Sequence, residues 1–198
     1  MSVLEALAAA AARLVVEEGM EYGPAKQKAA RALLRGQGRS SELPSNEQIE
    51  DAVQEHLALF CADTQPAELA ALRQVALRWM ERLAEFRPHL TGAAWRGTAT
   101  RLSNVHLHLY CDDSKSAEIA LLNQNQPYDV TTSPGPRHAP VDMLVLTDRA
   151  PELGEPVTVC LTILDTEDLR GALKPDARGR TWRGDAKALR ERLQAAAD

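Results

Sequence analysis

Asn104, His106 and His108 stand at alternate positions, separated by the aliphatic Val105 and Leu107. In a β-strand such alternate side chains project from one face, so the run from Ser103 to Tyr110 reads as a half-buried strand with two imidazoles and an amide on its polar side. Imidazole and carboxylate together suit zinc and other transition metals. Asp142, on a later strand-like run, would complete a His106, His108 and Asp142 metal set, with His106 and Asp142 as catalytic residues. The plainer reading is a solvated strand face, since paired histidines at this spacing arise readily by chance. After the strand come Asp112 and Asp113, which are displaced metal-binding carboxylates or, more simply, caps for the helix that follows. Near the C-terminus Lys174, Arg178, Arg180 and Arg183 surround Gly179 and Gly184 and make the most basic stretch of the chain. Guanidinium groups there suit phosphate oxygens, although the plainer reading is a solvated loop.

The segment leading into this strand is Gly92-Ala93-Ala94-Trp95-Arg96-Gly97-Thr98-Ala99-Thr100-Arg101-Leu102-Ser103-Asn104-Val105-His106-Leu107. It resembles the signature of the DNA polymerase beta-like nucleotidyltransferase superfamily. There a Gly-Ser turn and a nearby Arg-Gly precede Ser-Asp-x-Asp on a strand, and a neighbouring strand supplies a third carboxylate. Gly92, Arg96, Gly97, Ser103, Val105 and Leu107 match that pattern in type and spacing. The resemblance covers about 16 residues directly, and it implies a nucleotide cradled by Gly92, Arg96, Gly97, Ser103 and Asn104. Two carboxylates at i and i+2 would share a face and hold divalent metals against a triphosphate. Here those positions are Asn104 and His106, and Ala93 stands where the phosphate-binding serine is expected. The third carboxylate would be Asp142 or Asp129. Hard Mg²⁺ prefers oxygen donors, so the substitutions argue against standard metal-dependent nucleotidyl transfer. The expectation is a nucleotidyltransferase-like protein that keeps nucleotide binding or a regulatory role. Two alternatives are an enzyme with a rebuilt His/Asp site around a divalent metal, and a helical protein that docks a partner or forms a homo-oligomer.

Apolar spacing predicts how these residues are positioned. Leu4, Leu7, Ala8, Ala11, Leu14 and Val15 mark a first helix that ends near Gly19. A second helix begins near Pro24 and stops near Gly36, and the stretch from Gly36 to Pro44 reads as an exposed connection. Ser45 and Gln48 form a capping-box pattern ahead of Ile49, Val53, Leu57 and Phe60. A fourth helix from Pro66 to Arg87 carries Leu72, Val75, Trp79, Leu83 and Phe86 on one broad face, more simply core than a ligand pocket. After Pro88 the chain alternates strand and helix signals. A helix runs over Ser114–Gln124, strands over Tyr128–Thr132 and Val141–Thr147 flank the turn Ser133-Pro134-Gly135-Pro136, a strand spans Val157–Leu164, and a last helix covers Asp185–Ala196. The predicted class is α+β: a helical region at 1–88, then a nucleotidyltransferase-like mixed sheet with flanking helices at 89–198, with a soft boundary.

Bulk properties narrow the function classes. The chain has 198 residues, 44% of them hydrophobic, and a formal charge of -5, which gives no general attraction to nucleic acid or an anionic membrane. No apolar run approaches the roughly 20 residues needed to cross a bilayer. The first residues lack a basic start followed by an apolar run, so no signal peptide is expected. Cys61, Cys111 and Cys160 are isolated from one another in sequence, which fits a reduced cytoplasmic protein better than a disulfide framework. P-loop, nucleophile-elbow and His-Glu-x-x-His patterns do not occur.

Overall fold

A computed structural model describes residues 2–34 and 42–197, which form seven α-helices and one six-stranded mixed sheet, an α+β architecture. The chain divides into two compact units, one of Met1–Ala67 with Thr100–Ser103, the other of Glu68–Ala99 with Asn104–Asp198.

The first unit is helical. Helix α1 (Val3–Glu18) starts at a capping box between Ser2 and Glu5 and ends at Gly19, whose φ of 67° is the left-handed conformation that glycine adopts cheaply. Helix α2 (Tyr22–Leu33) holds Pro24 in its first turn. The expected stop near Gly36, and residues 36–41 of the expected connection, lie outside the described residues. Helix α3 (Asn46–Phe60) has the predicted capping box: the Gln48 amide donates to Ser45 Oγ at 3.1 Å, and the Ser45 amide donates to Gln48 Oε1 at 2.8 Å. Leu7, Ala11, Ile49 and Val53 are fully buried together in the core of this unit.

The second unit is built on the sheet. Its elements are helix α4 (Gln65–Arg82, which belongs to this unit from Glu68), strand β1 (His89–Thr91), helix α5 (Gly92–Arg96), strand β2 (Val105–Cys111) and helix α6 (Ser116–Asn123). Strands β3 (Asp129–Pro134), β4 (Pro140–Ala150), β5 (Glu155–Asp165) and β6 (Arg183–Gly184) follow, and helix α7 (Ala186–Ala195) closes the unit. Strand order is β3-β4-β5-β2-β1-β6, with β2 and β5 parallel and the other neighbours antiparallel. The predicted hairpin is β3–β4, where the Gly135 amide donates to the Ala139 carbonyl at 2.9 Å.

The boundary expected near residue 88 lies instead at Ala67. Leu72, Val75 and Trp79 of α4, with Leu83 just after it, share one core with Leu90, Leu107, Leu144 and Leu161 of the sheet, so this helix belongs with the strands. It also ends earlier than expected. After Arg82 the chain passes through a 3₁₀ turn at Ala84–Phe86, and Arg87 takes a left-handed φ of 47°. Trp79 anchors the layer by donating its Nε1–H to Asp148 on β4 at 2.8 Å. Helices thus cover one face of the sheet, the face of Val105, Leu107 and Leu109. The opposite face carries His106, His108 and Tyr110.

Candidate functional site on the polar face of the sheet

Register defines which residues meet on the polar face. Thr91 of β1 lies opposite both His106 of β2 and Arg183 of β6, His89 lies opposite His108, and His108 is in register with Thr162 of β5. Directly paired residues share a face, so His89, Thr91, His106, His108, Thr162 and Arg183 form one polar surface.

The turn between β1 and α5 lies against this surface. Gly92 has a φ of 71°, and a Cβ built on it would stand 3.6 Å from His106 Cδ2. The left-handed backbone, more than lack of space, calls for glycine there. Gly97 ends α5 at φ 93°, and its amide donates to the Ala93 carbonyl at 2.9 Å. It faces Arg73 rather than the histidines, so its place is a helix cap and not the expected ligand cradle. Arg73 is 7% exposed and donates from Nε to the Ala94 carbonyl at 2.8 Å and from Nη2 to the Trp95 carbonyl at 3.1 Å. Burial, then the nearby Arg192 charge, lowers its pKa to about 10, which leaves it charged at neutral pH. Arg192 also donates to the Trp95 carbonyl and lies 3.8 Å over the Trp95 ring centroid. This five-residue helix is therefore pinned by two arginines at its C-terminal end, where cations are favourable.

The other expected binding residues are dispersed. Arg96 stacks over Trp182 at 5.6 Å, with Arg180 over the same ring at 5.8 Å. Ser103 closes a turn in the helical unit, its Oγ accepting from the Thr100 amide at 3.0 Å. Asn104 is exposed immediately before β2. Asp113 Oδ1 accepts from the Lys115 amide at 2.9 Å just ahead of α6, a local turn bond of the capping kind, whereas Asp112 accepts from the Thr166 hydroxyl.

The expected His106, His108 and Asp142 set does not come together. Strand β5 separates β4 from β2. Met143 pairs with Thr162 and so shares the histidine face; Asp142, one residue away, points to the opposite face. There it lies 3.9 Å from Lys115 Nζ. Asp129 pairs with Val145 at the far side of the sheet, three strands from β2. Among the described residues no group of three His, Cys, Asp or Glu side chains is placed to hold a metal. The donors present thus do not fit the divalent ions that the resemblance implies: one imidazole and one amide stand where two carboxylates are required.

His108 is the most perturbed group on this surface. Burial, reinforced by the charges of Arg183, His106 and His89, lowers its pKa to about 4, so the ring is neutral at physiological pH. Its Nδ1 is buried without a hydrogen-bond partner. His89 is also shifted down, chiefly by burial; its Nδ1 donates to the Arg87 carbonyl at 2.8 Å and its ring meets Tyr110 edge-on at 5.4 Å. Arg183 reaches over β1 to donate from Nη1 to Tyr110 Oη at 3.4 Å, while its Nε is buried without a partner. A cleft of about 380 Å³ opens here, with His108, Thr162 and Leu164 in its floor and Ser133, Arg170 and Arg183 in its walls. Of the predicted basic stretch only Arg183 enters it; Arg180 pairs with Asp176 at 3.3 Å. Sequence reading missed Arg170 and Thr162, which are brought in by strand register and by a 3₁₀ turn at Thr166–Leu169.

No protein-family model matches the chain, and no curated protein or solved structure matches it either. Among the described residues no helix is long and apolar enough to cross a membrane.

Proposed function

We propose that this chain is a nucleotidyltransferase-like protein that binds a nucleotide without carrying out the metal-dependent transfer reaction. The single observation that supports this most is the left-handed turn at Gly92, where an added Cβ would stand 3.6 Å from His106 on the strand where the resemblance requires paired acids. The half-buried turn at Gly92 and Ala93 carries backbone amides of the kind that suit phosphate, while Asn104 and His106 leave no carboxylate pair for two metals. Asp142 cannot restore the set from the opposite face, which removes the support for a rebuilt His/Asp enzyme. Isothermal titration of the full chain with a panel of ribonucleotides, with Mg²⁺ and with EDTA, tests the proposal. It predicts saturable binding of at least one nucleotide at similar affinity in both conditions, with no pyrophosphate released. Silence across the panel, or turnover that requires Mg²⁺, contradicts it.

A further inference from the structure

We propose that the cleft beside His108 is a binding site for a phosphate monoester, held by Arg170 and Arg183. This site uses none of Gly92, Ser103, Asn104 or His106, so it stands apart from the nucleotide reading. The first argument is charge left unpaired. Arg13, Arg78, Arg137, Arg180 and Arg190 each have a carboxylate within ion-pair distance. Among the described residues Arg170 and Arg183 have none, although the chain as a whole is acidic. Both nevertheless line the same cleft. A partly buried guanidinium that meets only a phenol oxygen at 3.4 Å has most of its donors unused, and a phosphate group matches that donor fork.

The second argument is the floor. Thr162 is 5% exposed, and the neutral His108 ring adds hydrogen-bonding capacity without a competing negative charge. Asp168 also lines the cleft and would repel an anion by itself. Its carboxylate is instead tied to Arg137 of the β3–β4 turn at 3.0 Å and to the Asp165 amide at 3.3 Å. That pair braces the hairpin tip against the 3₁₀ turn and cancels the local negative charge. The remaining charge on the walls is that of Arg170 and Arg183, both positive. The volume, about 380 Å³, lies within the range of small-molecule sites, roughly 300–1,000 Å³, and accommodates a sugar phosphate.

The test is nuclear magnetic resonance of the full chain labelled with ¹⁵N-arginine, following the Nε–Hε signals during titration with inorganic phosphate, ribose 5-phosphate and ribose. The expected result is saturable movement of the Arg170 and Arg183 signals by both phosphates, up to about 20 mM, and none by ribose. Affinity should fall about tenfold or more in R170Q and in R183Q, because each removes charge-assisted bonds to the anion. Tighter binding of ribose 5-phosphate than of phosphate would mark an ester as the ligand, and equal binding would mark the free anion and overturn the ester assignment. Arg170 is exposed, so R170Q keeps the test decisive if R183Q does not fold. Absence of saturation, equal shifts with ribose, or unchanged affinity in R170Q would overturn the proposal.

Discussion

The neutral imidazole of His108 makes the sheet unit acid-sensitive in a way that can be measured. Its pKa is lowered from 6.5 to about 4 in the fold, first by burial and then by Arg183. In the unfolded chain it takes up a proton as the pH falls through 6.5, but in the fold it resists until about 4. Stability from this group is therefore complete above the unfolded pKa and is lost across the window between the two values. Each pH unit of that window is worth about 1.4 kcal/mol, so the full loss is about 3 kcal/mol at its acid end, with about 2 kcal/mol gone by about pH 5. His89 is shifted in the same direction and adds to the slope. The assay is urea denaturation at about pH 7, 6 and 5 for the native chain and for H108Q, alongside proton titration of the His108 Cε1–H resonance. The native chain should lose stability steeply over this range, and H108Q should retain only the shallower slope of the other groups. A His108 resonance that titrates near the ordinary histidine value, or an unchanged slope in H108Q, would refute the burial argument.

Further outcomes rest on packing and geometry. A Cβ at Gly184 would meet the Trp95 ring at 2.1 Å, so Gly184→Ala should cost about 1–3 kcal/mol or more in chemical denaturation, the usual range for overpacking. Arg73→Met removes two buried bonds to the end of α5 and should cost about 3 kcal/mol by the same measurement, since bonds from charged donors are worth about 1.5–3 kcal/mol each. Gly92→Ala meets only ordinary contact at His106, so its penalty should be conformational, about 1–2 kcal/mol for a left-handed φ. Elemental analysis of untagged protein should find no stoichiometric zinc, because Asp142 lies on the opposite face from His106 and His108; one zinc per chain would contradict that register.

Much of the fold was readable because its elements repeat a pattern over several turns or pleats. The alternation from Val105 to Leu109 announces β2, and the Ser45–Gln48 box announces α3. Strands β1 and β6 span only His89–Thr91 and Arg183–Gly184, too short to show any period. The membership of α4 was hidden for a different reason: an apolar helix face shows that it is covered but not by what. The candidate metal set failed on register. The sequence shows that Asp142 and His106 each lie on a two-faced strand, but which faces coincide depends on the pairing of Met143 with Thr162 and of Thr162 with His108. A shift of one residue would have reversed the answer. Arg170 carries no local signal at all, since its role depends on where the turn after β5 leaves it.

The proposed function is tested most directly at the Gly92 turn itself. In amide correlation spectra of the ¹⁵N-labelled chain titrated with a nucleotide that calorimetry shows to bind, the Gly92 and Ala93 signals should move saturably, and by the same amount in EDTA as in Mg²⁺. Signals that stay fixed at Gly92 while the nucleotide binds elsewhere, or that move only when Mg²⁺ is present, would contradict the account.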